Sequence, residues 1–214
     1  TISWERRKQI TKIIEKHDVL LIEDDPYNSL RYRGKAIDPI QTLIPENTIY
    51  LCTFSKVLAP GLRIGFYCAP KHIADLMMAA KQSVDLHTNS YGQYLAAEYL
   101  KTGHLKKHLP KILKIYKSRE EAMLIAFEKY FPVSFKWTRP EGGMFIWVTG
   151  PKNFDAVKLY WKAIEKNVAF VPGTYFFAKP GKGKNTLRLN FTNVSEIQIN
   201  LAIKKLSKVI KKYL

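Results

Sequence analysis

Hydrophobic and polar positions follow one rhythm in the first part of the chain and another after about residue 130. Short apolar runs at 19–22, 48–53 and 63–68 are separated by helical patterns, which predict buried strands that alternate with helices. One helix is expected from a Ser3 cap to about Lys16 and another over residues 71–84. Alternation of this kind favours an α/β sheet with parallel strands.

Residues 91–129 read mostly as helix, with interruptions expected near Gly103 and Pro110. The hydrophobic pattern then changes. Apolar and polar residues alternate over 133–137 and 144–148, as they do in antiparallel strands. A helix over 154–166, strands near Val168 and Leu187, and a last helix over 195–213 follow. These patterns predict two parts, residues 1–125 and residues 126–214, with the boundary near residues 120–130.

The amino-acid composition limits which binding partners and which cellular compartment can be expected for this protein. The 214 residues are 46% hydrophobic and carry a net charge of +17. The lysines recur at helical spacing, as in Lys204, Lys205, Lys208, Lys211 and Lys212, which predicts a solvated helix face and no nucleic-acid partner. Cys52 and Cys68 lie in apolar runs and are expected to be buried thiols in a reducing cytoplasm. With neither a signal peptide nor an apolar run as long as a bilayer span, no membrane association is expected.

The first candidate for chemistry is Thr53-Phe54-Ser55-Lys56, followed at a short distance by Arg63. Lys56 follows a predicted strand, and the ends of such strands are where α/β sheets bind ligands. A lysine amine can form a Schiff base with an aldehyde cofactor, while hydroxyls and a guanidinium can hold a phosphate. Taken alone, this motif would be better explained by a surface lysine in a loop, and the motifs that follow reverse that preference.

A second strand exit carries Asp24-Asp25-Pro26-Tyr27, 32 residues before Lys56. A carboxylate there can pair with a protonated pyridine nitrogen, and a tyrosine can hydrogen-bond a phenolic oxygen. An acidic turn is the alternative, since Asp-Asp-Pro commonly forms turns.

The third candidate is Arg188, which interrupts the apolar run Leu187-Arg188-Leu189 near the C-terminus. An arginine in such a strand needs a partner to offset its burial. Either a substrate carboxylate or a structural ion pair would satisfy it. His104 and His108 are spaced for one helix face but lack a third ligand, so no metal site is expected.

Together these motifs resemble the class I/II aminotransferases of fold type I, which use pyridoxal 5'-phosphate. The similarity is greatest to the branch of 2-aminoadipate, kynurenine and archaeal aromatic aminotransferases. Pro140-Glu141-Gly142-Gly143-Met144-Phe145 and Val171-Pro172-Gly173 resemble signatures of the family's small domain. The resemblance implies that residues 1–125 are the latter part of the cofactor-binding large domain, with its interdomain helix. Residues 126–214 would then be the small α+β domain.

The resemblance also implies roles for individual residues. Lys56 would bind the cofactor as a Schiff base and act as the catalytic residue. Asp24 and Tyr27 would contact the ring, Arg188 would bind the substrate carboxylate, and the phosphate would be held by Thr53, Ser55 and Arg63. The implied reaction moves an amino group from an amino acid to a 2-oxo acid such as 2-oxoglutarate, in a homodimer.

Other interpretations stay open. A related enzyme could catalyse β-elimination on the same scaffold, and some winged-helix transcription regulators carry an aminotransferase-like domain. The sequence begins where the family's Asn-Pro-x-Gly motif would just have ended, so the chain is expected to be a fragment without the N-terminal half. Such a fragment is expected to lack robust turnover by itself, and an inactive remnant is a third possibility.

Overall fold

The computed structural model describes residues 1–214, which form two compact units, Thr1–Lys111 and Ile112–Leu214. The division falls inside a long helix, α4 (His104–Tyr130), which also contains the predicted boundary at residue 125. The assignment of residues 1–125 and 126–214 to a large and a small domain stays a prediction.

The first unit begins with α1 (Trp4–His17) and a three-stranded sheet. The Ser3 hydroxyl accepts a hydrogen bond from the Arg6 amide, as the predicted N-cap requires. The strands are β1 (Leu21–Asp24), β2 (Thr48–Thr53) and β3 (Gly65–Cys68), in the order β1-β2-β3. β1 pairs parallel with β2, whereas β3 returns antiparallel after a connection that contains only 3₁₀ turns.

Two strand boundaries differ from the sequence pattern. β1 starts two residues later than predicted, because Asp18 adopts a left-handed conformation that ends α1 and leaves Val19 and Leu20 exposed. It runs on into Glu23 and Asp24, which the apolar pattern did not include. β3 starts at Gly65 rather than at Arg63, because Arg63 has a φ of 55° and ends a 3₁₀ turn.

Helices α2 (Lys71–Asp85), α3 (Ser90–Lys101) and α4 follow β3. The predicted break near Gly103 is confirmed, since Gly103 has a positive φ of 71° between α3 and α4. The break expected at Pro110 was wrong, because Pro110 lies inside α4. Lys106 and Pro110 are both exposed, so the Lys106 carbonyl that loses its helical partner can be solvated by water.

The second unit contains the end of α4 and an antiparallel sheet in the order β4-β5-β7-β6. The strands are β4 (Lys136–Trp137), β5 (Phe145–Thr149), β6 (Val171–Pro172) and β7 (Thr186–Asn190), and the helices are α5 (Ala156–Ile164) and α6 (Glu196–Tyr213). Ile146 and Leu187 are fully buried on one face of the sheet. Buried apolar residues from the helices complete this core: Phe127, Leu159, Ile203, Leu206 and Ile210.

These elements confirm the predicted fold class, an α/β part followed by an α+β part. Cys68 corrects the expectation of two buried thiols. It is exposed, because in this chain β3 is an edge strand, whereas Cys52 in the central strand is half-buried. None of the six helices combines the length and the apolarity that crossing a bilayer requires.

Candidate active site

The carboxyl ends of β1 and β2 lie at one edge of the first sheet and carry the predicted acid and hydroxyl residues. Asp24 is paired with Leu51 across the two parallel strands, and Thr53 lies two residues beyond Leu51. Paired residues and residues two apart project from the same face of a sheet. Asp24 and Thr53 therefore share one face at this edge, with Cα atoms roughly 8 Å apart as strand geometry dictates.

The opposite face holds a buried ion pair that the sequence analysis did not identify. Nη1 of Arg7 on α1 lies 3.1 Å from Oε1 of Glu23, and the two side chains are only 10% and 11% exposed. The Glu23 carboxylate also accepts hydrogen bonds from the amides of Ile40 and Gln41, each at 2.9 Å. In the sequence, the only sign of this ion pair was an acidic residue, Glu23, directly after an apolar strand pattern. This network fixes β1 to α1 and so fixes the strand end that carries Asp24.

Asp25 lies on the Glu23 face and caps the turn that follows β1. Its carboxylate accepts hydrogen bonds from the Tyr27 and Asn28 amides, which hold the turn over residues 26–29. Burial raises the pKa of the Asp25 carboxyl above its ordinary value, and the nearby Glu23 charge raises it further. Asp24, by contrast, is exposed. Asp24 is thus the carboxylate available to a ligand, while Asp25 stabilises the turn that places Tyr27.

Lys56 ends a single 3₁₀ turn, Phe54–Lys56, directly after β2. The Thr53 hydroxyl caps this turn by accepting from the Ser55 amide at 3.1 Å. It also lies within hydrogen-bond distance of the Ser55 hydroxyl at 2.9 Å and of the Ile64 carbonyl at 3.2 Å. Lys56 is half-buried, and its amine takes part in no hydrogen bond or ion pair. No protein acceptor or carboxylate therefore occupies the amine, which leaves it accessible to a carbonyl group.

Arg63 follows the Pro60–Leu62 3₁₀ turn in a left-handed conformation, with a φ of 55° and a ψ of 39°. Few residues other than glycine adopt this conformation, and it is concentrated at functional sites. The exposed side chain uses Nη1 to donate to the Pro60 carbonyl at 3.3 Å. The remaining guanidinium donors of Arg63 are left for an anion.

A cavity of about 520 Å³ opens on the Glu23 face of the same sheet. Tyr50 and Cys52 of β2 line it together with Asn28, Phe54 and Phe66. Burial raises the pKa of the Tyr50 hydroxyl to about 12, and burial also raises the pKa of the Cys52 thiol. Both groups therefore stay protonated near neutral pH and act as neutral lining rather than as nucleophiles.

Arg188 belongs to the second unit, where it lies on the central strand β7. β5 and β6 flank it on either side, through the pairs Trp147–Arg188 and Val171–Arg188. Its guanidinium carbon lies 4.0 Å from the centre of the Phe145 ring and 4.3 Å from that of Phe176. The contacts of the guanidinium are thus aromatic, and Nε is buried without a hydrogen-bond partner. Arg188 does not form the structural ion pair that the sequence left open.

The first unit therefore brings six of the seven predicted residues to one strand-exit region, and Arg188 lies in the other unit. Their donor set fits pyridoxal phosphate. An unpaired amine suits the aldehyde, and an exposed carboxylate suits a protonated ring nitrogen. A hydroxyl hydrogen and guanidinium donors suit a phosphate dianion. No residue of the set carries a charge of the same sign as the cofactor group that it would contact.

Comparisons with known proteins agree with this chemistry. The family model for aminotransferase class I and II matches residues 3–206. The aromatic-amino-acid aminotransferase 1 of Thermococcus litoralis is 47% identical over 212 residues, which are 99% of this chain and 51% of that protein. The crystal structure of the Pyrococcus horikoshii kynurenine aminotransferase, in complex with PMP, is 48% identical. It superimposes with a TM-score of 0.96 over 100% of this chain and 53% of that one.

A regulator is also among the similar proteins. The HTH-type transcriptional regulator YisV of Bacillus subtilis is 31% identical over 204 residues, which are 95% of this chain and 42% of that protein. The chain spans about half the length of the curated relatives that it matches. Its similarity to aromatic, 2-aminoadipate and kynurenine aminotransferases places it in that branch. By the match of the family model over nearly its whole length, this chain belongs to the class I and II aminotransferases.

Proposed function

We propose that the protein catalyses pyridoxal-phosphate-dependent transfer of an amino group from an amino acid to a 2-oxo acid such as 2-oxoglutarate. The amino donor is aromatic, 2-aminoadipate-like or similar, and Lys56 is the Schiff-base lysine. The observation that carries the proposal is the convergence of Asp24, Ser55 and the unpaired Lys56 amine at one strand-exit edge.

When bound, the cofactor supplies an electron-withdrawing ring that accepts the electron pair left as the substrate Cα–H bond breaks. Lys56 would hold the cofactor through its aldehyde. As a free amine, Lys56 would accept the proton that leaves the substrate Cα and hold it for return. Its freedom from hydrogen bonds in the structure supports this role.

The neighbouring residues bind and orient. Asp24 would pair with the protonated ring nitrogen and so stabilise its positive charge. Tyr27 would donate a hydrogen bond to the ring oxygen, and Ser55 and Arg63 would donate to the phosphate. Thr53 would support the phosphate contact through its hydrogen bond with the Ser55 hydroxyl. Arg188 binds a substrate carboxylate through its guanidinium.

The protein acts as a homodimer in this proposal. Exposed apolar side chains on α2 support it, since Leu76, Met78 and Val84 are between 56% and 85% exposed. Sedimentation equilibrium checks the assembly, and a monomer at micromolar concentration would contradict it.

The assignment of Lys56 is tested by trapping. The protein is incubated with pyridoxal phosphate, reduced with borohydride and digested, and the modified peptide is sequenced. We expect the label on Lys56 and none in Lys56→Ala. Lys71→Ala, which removes an exposed lysine on α2, is the matched control and keeps the label. A label on another lysine in the unmodified protein would overturn the assignment.

Transamination is measured in parallel with 2-oxoglutarate and a panel of aromatic amino acids and 2-aminoadipate. Glutamate formation that depends on Lys56 supports the proposal. The similarity to YisV favours a second candidate, a cofactor-binding module of a transcription regulator. Labelling of Lys56 without multiple turnover by the full-length protein would favour that alternative. The lack of robust turnover by the 214-residue chain alone stays a prediction.

A further inference from the structure

The surroundings of Arg188 are unusual for an arginine in a sheet. Its guanidinium carbon is close to two phenyl rings, Phe145 at 4.0 Å and Phe176 at 4.3 Å. Both distances are well within the range in which an aromatic ring attracts a cation. A flat guanidinium stacked on rings keeps its donors at its edges, where they point away from the ring faces.

The edges are not equivalent. Nε is buried and has no hydrogen-bond partner. A ligand cannot reach Nε, and no protein group satisfies it. The two terminal nitrogens, Nη1 and Nη2, are not fully buried as Nε is, and they form no hydrogen bond with the protein. Only the Nη1–Nη2 edge of Arg188 is therefore open to a planar anion.

Two glycine-containing motifs place the rings. Gly173 begins the 3₁₀ turn Gly173–Phe176, and a Cβ at Gly173 would lie 1.8 Å from the Thr186 hydroxyl. This turn can therefore lie directly against β7 only with glycine at that position. Gly143, with a φ of 84°, directs the chain into β5 just before Phe145. Both motifs resembled family signatures in the sequence, and here each brings a phenyl ring to Arg188.

We propose that Phe145 and Phe176 are positioning residues that clamp the Arg188 guanidinium, so that it binds a substrate carboxylate end-on through Nη1 and Nη2. The inference rests on the proposed role of Arg188 as the carboxylate-binding residue. The two rings restrict rotation of the guanidinium and leave its Nη1–Nη2 edge free. The arginine is thereby oriented before the substrate arrives, which reduces the entropy lost on binding.

The first test is spectroscopic and does not need the cofactor. The Nε–H resonance of Arg188 is recorded in the ¹⁵N-labelled chain and assigned with Arg188→Lys. We expect a ring-current shift to low frequency and slow exchange with water. Titration with 3-phenylpropionate, a carboxylate without an amine, is expected to shift the Nη resonances while Nε–H stays protected from exchange.

Variants then separate the clamp from general packing. Phe176→Leu is expected to move the Nε–H resonance back toward its ordinary position and to raise the dissociation constant of 3-phenylpropionate about tenfold, the size of effect that a stacked cation allows. Phe176→Tyr keeps the ring and should retain both properties. Phe177→Leu is the matched control, because Phe177 contacts Trp147 and not Arg188. Its dissociation constant should stay within about twofold of the unmodified value.

The outcomes distinguish the clamp by the two phenyl rings from the carboxylate-binding role of Arg188. If Phe176→Leu and Phe177→Leu weaken binding equally, or if Phe176→Leu leaves the Nε–H resonance unchanged, the clamp is wrong and the role of Arg188 stands. If Arg188→Lys binds 3-phenylpropionate as tightly as the unmodified chain, the carboxylate-binding role itself is wrong, and the clamp falls with it. Loss of protection at Nε–H on titration would overturn end-on binding.

Discussion

Asp24 and Asp25 are adjacent in the sequence, yet their side chains leave β1 on opposite faces of the three-stranded sheet. Asp24 is exposed on the face that it shares with Thr53. Asp25 is half-buried on the face of Glu23, where it caps the turn through the Tyr27 and Asn28 amides. The alternation of a strand thus places two identical side chains in two different environments.

The first prediction follows from that separation. In the full-length protein, Asp24→Ala should lower kcat at least about 100-fold, because a preorganised charge contributes on this scale to a reaction in a protein site. Lys56 should still be labelled by pyridoxal phosphate and borohydride. Asp25→Asn keeps acceptors for the turn amides and should retain most of the activity. Steady-state kinetics of both variants decide the matter, and an inactive Asp25→Asn beside an active Asp24→Ala would reverse the assignment.

The second prediction concerns the Arg7–Glu23 pair. Glu23→Gln should lower the free energy of unfolding by about 3 kcal/mol, because it leaves Arg7 as a buried charge without its counter-ion. The exposed pair Lys162–Glu165 provides the control, and Glu165→Gln should leave the stability nearly unchanged. Urea denaturation followed by circular dichroism measures both. Equal effects of the two substitutions would contradict the structural role of Glu23.

The third prediction concerns Gly173. Gly173→Ala should destabilise the protein by about 2 kcal/mol, because its Cβ would overlap the Thr186 side chain and push the turn away from β7. Gly61→Ala is the control, since a Cβ at Gly61 meets nothing within 4 Å. Thermal unfolding of the two variants should differ accordingly. If the Gly173→Ala protein is as stable as the Gly61→Ala protein, the turn can accommodate a Cβ at residue 173 and the prediction is wrong.

The fourth prediction concerns alkaline pH. Burial raises the pKa of Tyr50 from 10.0 to about 12, so the unfolded chain loses this proton at lower pH than the folded chain does. The stabilising contribution is complete below pH 10 and is lost as the pH rises toward 12. Tyr50→Phe should therefore lose less stability than the unmodified protein over this interval. Urea midpoints measured at several pH values between 9 and 12 provide the comparison, and parallel curves would contradict the burial of the hydroxyl.

The sequence by itself determined most of the elements and the chemistry of the candidate site. Local signals were sufficient for β2, for the Ser3 cap and for the helix break at Gly103, because each depends on residues a few positions apart. Period-two alternation likewise separated Asp24 from Asp25. The motif spacing predicted Lys56 and its neighbours as the site, since strand exits collect ligand-binding groups, and their roles stay predictions.

The tertiary structure decided what depends on residues distant in sequence. Glu23 lies in a strand because Arg7, sixteen positions away on α1, neutralises it. Cys68 is exposed because β3 is an edge strand of the sheet in this chain, which no local pattern reveals. The sequence left two partners open for Arg188, an ion pair or a substrate. The fold instead placed Phe145 and Phe176 against its guanidinium, because three segments between residues 145 and 188 meet only when the second sheet forms.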